Sequence, residues 1–391
     1  MSFTETTSRS WFSRLKGALL KIVIGLVLVF GCIWLLAWNE GRSVATYRSL
    51  VEGAGLVVSV GTDAVDAANE GKFVHISGPV KPVGVPSDSL FGISADGAVG
   101  VERVVEMYQW VESSRSETRT KLGGGEETVT TYSYAKEWRQ NEVNSSNFRQ
   151  SGHDNPKKPV DDSSFAVASA TIGAFSIDGG AVASLGRESP ITLTQDDANR
   201  MRTALSTGKP VTIEGGQATF SFNRNNPAIG DVRIRFERSD LAEASFVGAQ
   251  RGNGLTGYKT TNGRTLFLSD AGLVAANEMF DAAQSQNTII TWLVRVGGLV
   301  GLFVGFSAML SIFGVIGDIV PFIGSIIRMG TSAIALVLTL LIGPLVIALA
   351  WIAYRPVLAI GIIVVGVAIA AAILYKRRNR VPAVAANPGQ A

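Results

Sequence analysis

Charged residues that border long apolar runs are the ones in this 391-residue chain whose type and spacing bear most on chemistry. Asn39-Glu40-Gly41-Arg42 directly follows the apolar run 19–38. Arg295 lies a few residues into a second run, and Tyr354-Arg355-Pro356 joins two further ones. A charge beside hydrocarbon is costly and often functional. Glu40 can pair with Arg295 or Arg355, and the two arginines can instead hold a lipid phosphate. A third reading makes them interfacial anchors whose arginines snorkel to water. The residues leave all three open. Asp318 and Arg328 read as solvated loop charges.

Other chemistry is sparse. The chain has no P-loop, no G-x-S-x-G nucleophile elbow and no H-E-x-x-H helix. Its single cysteine, Cys32, lies inside the first apolar run, so the rest of the chain has no disulfides and no thiolate zinc site. Of its two histidines, His75 alternates with Val74 and Ile76 as a strand residue, and His153-Asp154-Asn155-Pro156 reads as a turn starter. No cofactor, metal or catalytic group is expected, and an enzyme is the less favoured reading.

A helix needs about 20 apolar residues to cross ~30 Å of hydrocarbon. Four segments qualify: 19–38, 291–313, 331–352 and 356–375, with 314–330 as a cytoplasmic loop or amphipathic piece. The first is too long for a signal-peptide core and lacks a small-x-small cleavage site. Arg9, Arg14, Lys16 and Lys21 hold the N-terminus, residues 1–18, in the cytoplasm, and the basic tail 376–391 ends there too. Residues 39–290 carry 24 Lys+Arg against 30 Asp+Glu, a net of −6, and the remainder 11 against 2, a net of +9. The basic average therefore belongs to the membrane ends and argues against nucleic acid as a partner.

The segment 39–290 is expected to form a β-rich extracytoplasmic domain. Residues 101–112 and 128–139 are rich in Val, Tyr, Trp and Thr, as strands are. A hairpin folded about Gly124 would set Trp110 near Trp138 and Glu112 near Lys136. Tyr108, Trp110, Tyr134 and Trp138 would then share one face, either a core face or a partner platform. Gly71-Lys72-Phe73-Val74-His75-Ile76-Ser77-Gly78 and Gly208-Lys209-Pro210-Val211-Thr212-Ile213-Glu214-Gly215 share the pattern G-K-x-V-x-I-x-G. Each follows a short helical candidate, 63–69 or 195–205. Two similar α+β halves, 60–140 and 195–260, with a barrel-like arrangement are the resulting expectation. Residues 270–287 have helical spacing and lead into the second span. There Gly297, Gly301 and Gly305 recur every four residues, a stripe that lets another helix approach, from this chain or from a second copy.

Several stretches in order resemble one family. They are Asn39-Glu40-Gly41-Arg42; Glu52-Gly53-x-Gly55-Leu56-Val57-Val58-Ser59; Asn69-Glu70-Gly71 with Val74-His75-Ile76; and Val105-Glu106-Met107-Tyr108-Gln109-Trp110-Val111-Glu112. Tyr132-Ser133-Tyr134, Glu137-Trp138-Arg139, Gly152-His153 with Asn155-Pro156, Gly230-Asp231-Val232-Arg233, Thr291-Trp292 with Arg295, and Tyr354-Arg355-Pro356 continue the series. Together they resemble the LUMA family, called transmembrane protein forty-three in animals. The resemblance implies four spans and a large domain in the lumen of the endoplasmic reticulum or perinuclear space, with no established reaction. Animal members are associated with the inner nuclear membrane and its lamin and emerin contacts. The Ala/Gly/Val-heavy composition points to a bacterial member, with the domain in the periplasm, to which those partners do not carry over.

The expected function is a non-enzymatic membrane scaffold whose outer domain binds protein partners or lipids near the membrane. The alternative is a lipid-handling factor that uses Glu40, Arg295 and Arg355. Membrane lipids, further membrane or extracytoplasmic proteins and a second copy of the chain are the expected partners.

Overall fold

The computed structural model describes residues 2–357 and, beyond them, Ile360, Gly361, Val364, Ala368, Ala372 and Tyr375. Most of the expected fourth span, 356–375, and the whole tail 376–391 lie outside the described residues. Helices α1 (Trp11–Leu56), α2 (Gly179–Ala183), α3 (Gln195–Leu205), α4 (Ala276–Gly317) and α5 (Pro321–Tyr354) alternate with short and long strands. Among the described residues, α1, α4 and α5 are long and apolar enough to cross a membrane. The protein is thus an α+β membrane protein with a β-rich domain. Contacts divide it into two compact units. One holds Met1–Ser10, Arg48–Lys121 and Gly125–Gln286; the other holds Trp11–Tyr47, Leu122–Gly124 and the chain from Asn287 onward.

The first unit contains two large sheets. In the first, the strands run Ser2–Arg9, Glu126–Arg139, Gly100–Thr120, Val232–Asp240, Gln217–Phe220 and Val211–Glu214, all antiparallel. Val105, Met107, Phe220 and Phe236 bury one face together with Phe91 and with Met201 of α3. Helix α3 starts where the sequence signals it. The Thr194 side chain accepts from the Asp197 amide, and the Asp197 carboxylate answers the Thr194 amide.

In the second sheet, Glu243–Arg251, Gly254–Thr256, Phe175–Asp178, Ser169–Ile172 and Phe73–Val83 pair in a closed circuit. Closure leaves these strands no free edge, and Ile76, Ile172, Phe175, Ile177 and Phe246 fill the interior. The two G-K-x-V-x-I-x-G copies sit differently. The first is a buried strand of the circuit, whereas Val211–Glu214 is a half-exposed end strand of the open sheet. Two similar barrel-like halves are therefore not seen among the described residues. The helical candidate 63–69 shrinks to one 3-10 turn, Ala67–Asn69, capped by the Asp66 side chain. Gly71, at φ +75°, ends it within two residues.

The long hairpin departs from expectation in length and register. Its strands, Gly100–Thr120 and Glu126–Arg139, include the polar stretch 113–120. Threonine and serine suit exposed strands, and cross-strand hydroxyl pairs Ser116–Thr130 and Thr118–Thr128 form at 2.9 Å. Gly123 and Gly124 both adopt positive φ in the turn. The turn centres on Gly123, so Tyr108 opposes Trp138, Trp110 opposes Lys136 and Glu112 opposes Tyr134. A shift of the turn by one residue moves the register by two, which changes the partners but keeps every side chain on its expected face.

Asp231 shows what polar groups do in this fold. It is 1% exposed and accepts from Lys209 Nζ at 2.8 Å, Ser221 Oγ at 2.5 Å and the Ala228 amide at 2.8 Å. Burial raises its pKa, but these donors outweigh burial and leave it below the ordinary aspartate value. A lowered folded pKa contributes stability above the unfolded value of about 4 that is lost as pH falls through the folded one. Asp231→Asn should cost about 3 kcal/mol at neutral pH, read as a lower thermal midpoint. The gap to wild type should narrow below about pH 4. An unchanged midpoint at neutral pH would contradict this account.

Candidate functional site

Helix α1 continues unbroken past its apolar half, so Asn39, Glu40 and Ser43 share a helix face, and all three are buried. On α4, Asn287, Thr291 and Arg295 follow at four-residue intervals and form the facing polar stripe. Asn39 Nδ2 donates to the Thr291 carbonyl at 3.1 Å, and Asn287 Nδ2 donates to the Ser43 carbonyl at 3.1 Å. Arg42 spans the stripe, donating to Asn39 Oδ1, Asn287 Oδ1 and Thr291 Oγ1 at 3.1–3.3 Å.

Glu40 is the centre of this arrangement. Arg295 donates Nε to Glu40 Oε1 at 2.6 Å and Nη2 to Oε2 at 2.8 Å, a bidentate pair. Trp351 of α5 donates Nε1 to the same Oε2 at 2.9 Å. The Arg295 guanidinium lies 4.8 Å from the Trp292 ring and 5.8 Å from the Trp351 ring. Such a carboxylate is neutralised and holds three helices at one level. Gly41 lets α5 come close, since a Cβ there would sit 2.7 Å from Tyr354 Cζ. Arg355 stands apart. Its amide caps α5 by donating to the Trp351 carbonyl, and its side chain has no ion pair or hydrogen bond among the described residues. Trp351 takes the place beside Glu40 that the sequence offered to Arg355.

A second charged cluster differs from the sequence reading. The segment 314–330 is helical apart from a turn at 318–320, and Asp318 within that turn is fully buried. It accepts from Arg14 of α1 and from Arg328 of α5. Arg14 also donates to the Gly124 carbonyl, Trp11 Nε1 donates to the Val315 carbonyl at 2.8 Å, and the Gly123 amide donates to the Ile319 carbonyl at 3.2 Å. Asp318 and Arg14 are 304 residues apart, and no local pattern links them.

Glycines set the helix spacing between the two clusters. A Cβ on Gly298 would meet Leu36 at 2.6 Å, on Gly301 Cys32 Sγ at 2.4 Å, and on Gly305 Val29 at 2.8 Å. Gly297 faces open space. The contacting residues follow a three-then-four spacing, the seam of a left-handed helix pair, in place of the four-residue stripe 297, 301, 305. The partner is α1 of the same chain.

In the β-rich unit the aromatic face is partly covered. Tyr108 and Trp138 lie 5.3 Å apart, with Arg233 4.6 Å from the Trp138 ring and Lys136 4.8 Å from the Trp110 ring. Tyr134 is buried, and the other three are half-buried. His153 is not at an open turn. It stacks 4.0 Å from Tyr134 and meets Trp110 edge-on at 4.6 Å, and it is buried with Nδ1 unpaired. Two amides the sequence reading missed hold the strand edge. Asn155 Oδ1 accepts from the Trp110 amide at 2.7 Å while its Nδ2 donates to the Trp110 carbonyl, and Gln109 ties residues 139–143. The Asn-Pro after His153 was the only signal for either.

Comparison with known proteins finds related sequences. A family model described as Transmembrane protein 43 matches residues 107–356. Transmembrane protein 43 of Homo sapiens is 31% identical over 393 residues, covering 97% of this chain and 95% of that protein. The Rattus norvegicus protein is 31% identical over 369 residues, covering 91% and 90%. The Drosophila melanogaster homolog is 28% identical over 385 residues, covering 93% and 95%. No solved structure matches.

The glycine seam gives a paired test. Gly301→Leu should lower stability in detergent by about 1–3 kcal/mol, the usual cost of overpacking. Gly297→Leu should leave the melting curve in place. The reverse order would show that the seam is misassigned.

Proposed function

The chain belongs to the transmembrane protein 43 family, and we propose that it is a membrane scaffold whose β-rich domain gathers protein partners or lipids on the extracytoplasmic side. The observation that carries this reading is the closed Glu40–Arg295–Trp351 cluster. Its charges are spent on each other, which favours a structural clamp over a lipid-processing centre. The alternative lipid-handling reading rests on Arg355, whose side chain has the chemistry to hold a headgroup phosphate. The half-buried aromatic face flanked by Lys136 and Arg233 supplies the contact surface, since aromatics and arginine concentrate at interfaces. Composition and charge favour a bacterial inner membrane, with the domain in the periplasm. A homo-oligomer is compatible with this reading, and nucleic acid is not a partner in it.

This topology puts the hairpin, with the rest of residues 39–290, on the extracytoplasmic side. Leu122, exposed at the turn, should react as Leu122→Cys with a membrane-impermeant maleimide applied outside intact cells. Reaction only after permeabilisation would overturn the extracytoplasmic placement.

The scaffold itself is tested with a photo-crosslinking amino acid at Lys136, irradiated in native membranes. A discrete protein or lipid adduct is expected. Irradiation that yields neither overturns the reading.

A further inference from the structure

The β-rich unit contains an open cleft of about 500 Å3 that none of the groups above uses. Ser59 and His75 meet in it. They are register partners on parallel strands, so their side chains leave the same face as neighbours. Ser59 Oγ lies 3.2 Å from His75 Nδ1, and His75 Nε2 lies 2.9 Å from the Val274 carbonyl. A carbonyl can only accept, so Nε2 carries the ring proton and Nδ1 is left as an acceptor for the Ser59 hydroxyl. Ser59 is exposed, whereas His75 is buried. Burial holds the imidazole below its ordinary pKa, against the pull of the Val274 carbonyl, which keeps the ring neutral at neutral pH, with Nδ1 open to a proton.

Two further features of the cleft fit this pair. Ala275, Ala276 and Asn277 line it at the start of α4, where the Ala275 carbonyl accepts from the Met279 amide. The first-turn amides of a helix have no acceptor within it, and they favour negative charge. Ala54, Val57, Val60 and Phe280 supply apolar wall. A nucleophile within reach of a base, a third group orienting that base, and amide donors beside them are the parts of an acyl-transfer site.

We propose that Ser59 and His75 form a catalytic pair that hydrolyses esters of apolar acyl chains in this cleft. His75 Nδ1 takes the hydroxyl proton as Ser59 Oγ bonds to the ester carbonyl carbon. The amides at the start of α4 face the developing oxyanion. The alcohol leaves with the proton from Nδ1, and a water deprotonated by Nδ1 then attacks the acyl-serine, releasing the acid and restoring the hydroxyl. This activity is independent of the scaffold reading, and the sequence conceals it because Ser59 lies outside any nucleophile-elbow motif.

The test uses the full chain in detergent, a fluorophosphonate probe and p-nitrophenyl butyrate as substrate. Wild type is expected to be labelled once per chain and to hydrolyse the ester, and Ser59→Ala to do neither while melting like wild type. His75→Gln should slow labelling at least about 100-fold, the contribution typical of a positioned general base. An unlabelled wild type, or labelling that survives Ser59→Ala, overturns the proposal. A labelling rate unchanged in folded His75→Gln removes the base. Should that variant fail to fold, Ser59→Ala alone decides, because Ser59 is exposed and its loss leaves the core intact.

Discussion

A carboxylate buried among apolar helices must be neutralised where it stands, and the helical unit is built around that constraint. Glu40 has no access to water. Left unpaired in such surroundings it would cost several kcal/mol. Arg295 and Trp351 together satisfy it, and each comes from a different helix. Asp318 imposes the same demand just past the end of α4 and is met by Arg14 and Arg328. Arg295 and the end of α4 at Gly317 are separated by roughly 33 Å at 1.5 Å per residue, close to the ~30 Å of a hydrocarbon core. Between them the Gly298, Gly301 and Gly305 seam brings α1 and α4 into contact. Charged clamps at both borders and a tight apolar seam between them make a self-consistent membrane unit.

Much of this was legible in sequence because a membrane amplifies local signals. An apolar run long enough to span, and a charge at its margin, are visible without knowledge of the fold, and the pairing of Glu40 with Arg295 was one of the alternatives they left open. What escaped was non-local. Trp351 stands where Arg355 was offered, and the close approach of Tyr354 to Gly41 brings that end of α5 to Glu40's helix. Asp318 looked like a loop charge because Gly314, Gly317 and Pro321 read as breakers. In the structure the two glycines admit Arg328 and Ile327 at close range, and the proline begins α5, where its missing amide costs nothing. The glycine stripe was found, but its period was read as four when the left-handed pair uses three and four.

In the β-rich unit, composition and alternation identified strands and the shared face of Tyr108, Trp110, Tyr134 and Trp138. Register was a harder problem, since glycines at 123, 124 and 125 offer several turn centres that differ by two in pairing yet agree in face. His75 was legible as a strand residue, and the structure has it in Phe73–Val83, but the partners of His75 and His153 were not legible. Each depends on a partner from another strand or loop: Ser59 and Val274 for one, Trp110 and Tyr134 for the other.

The central claim is that Glu40 and Arg295 act as one unit, and a double-mutant cycle tests it most directly. Glu40→Gln and Arg295→Gln, alone and together, would be compared by unfolding in a fixed detergent. Each single change should cost about 3–5 kcal/mol because it strands a buried charge, and the double change should cost clearly less than their sum. Additive losses, or single variants as stable as wild type, would show that the pair does not hold the helices together.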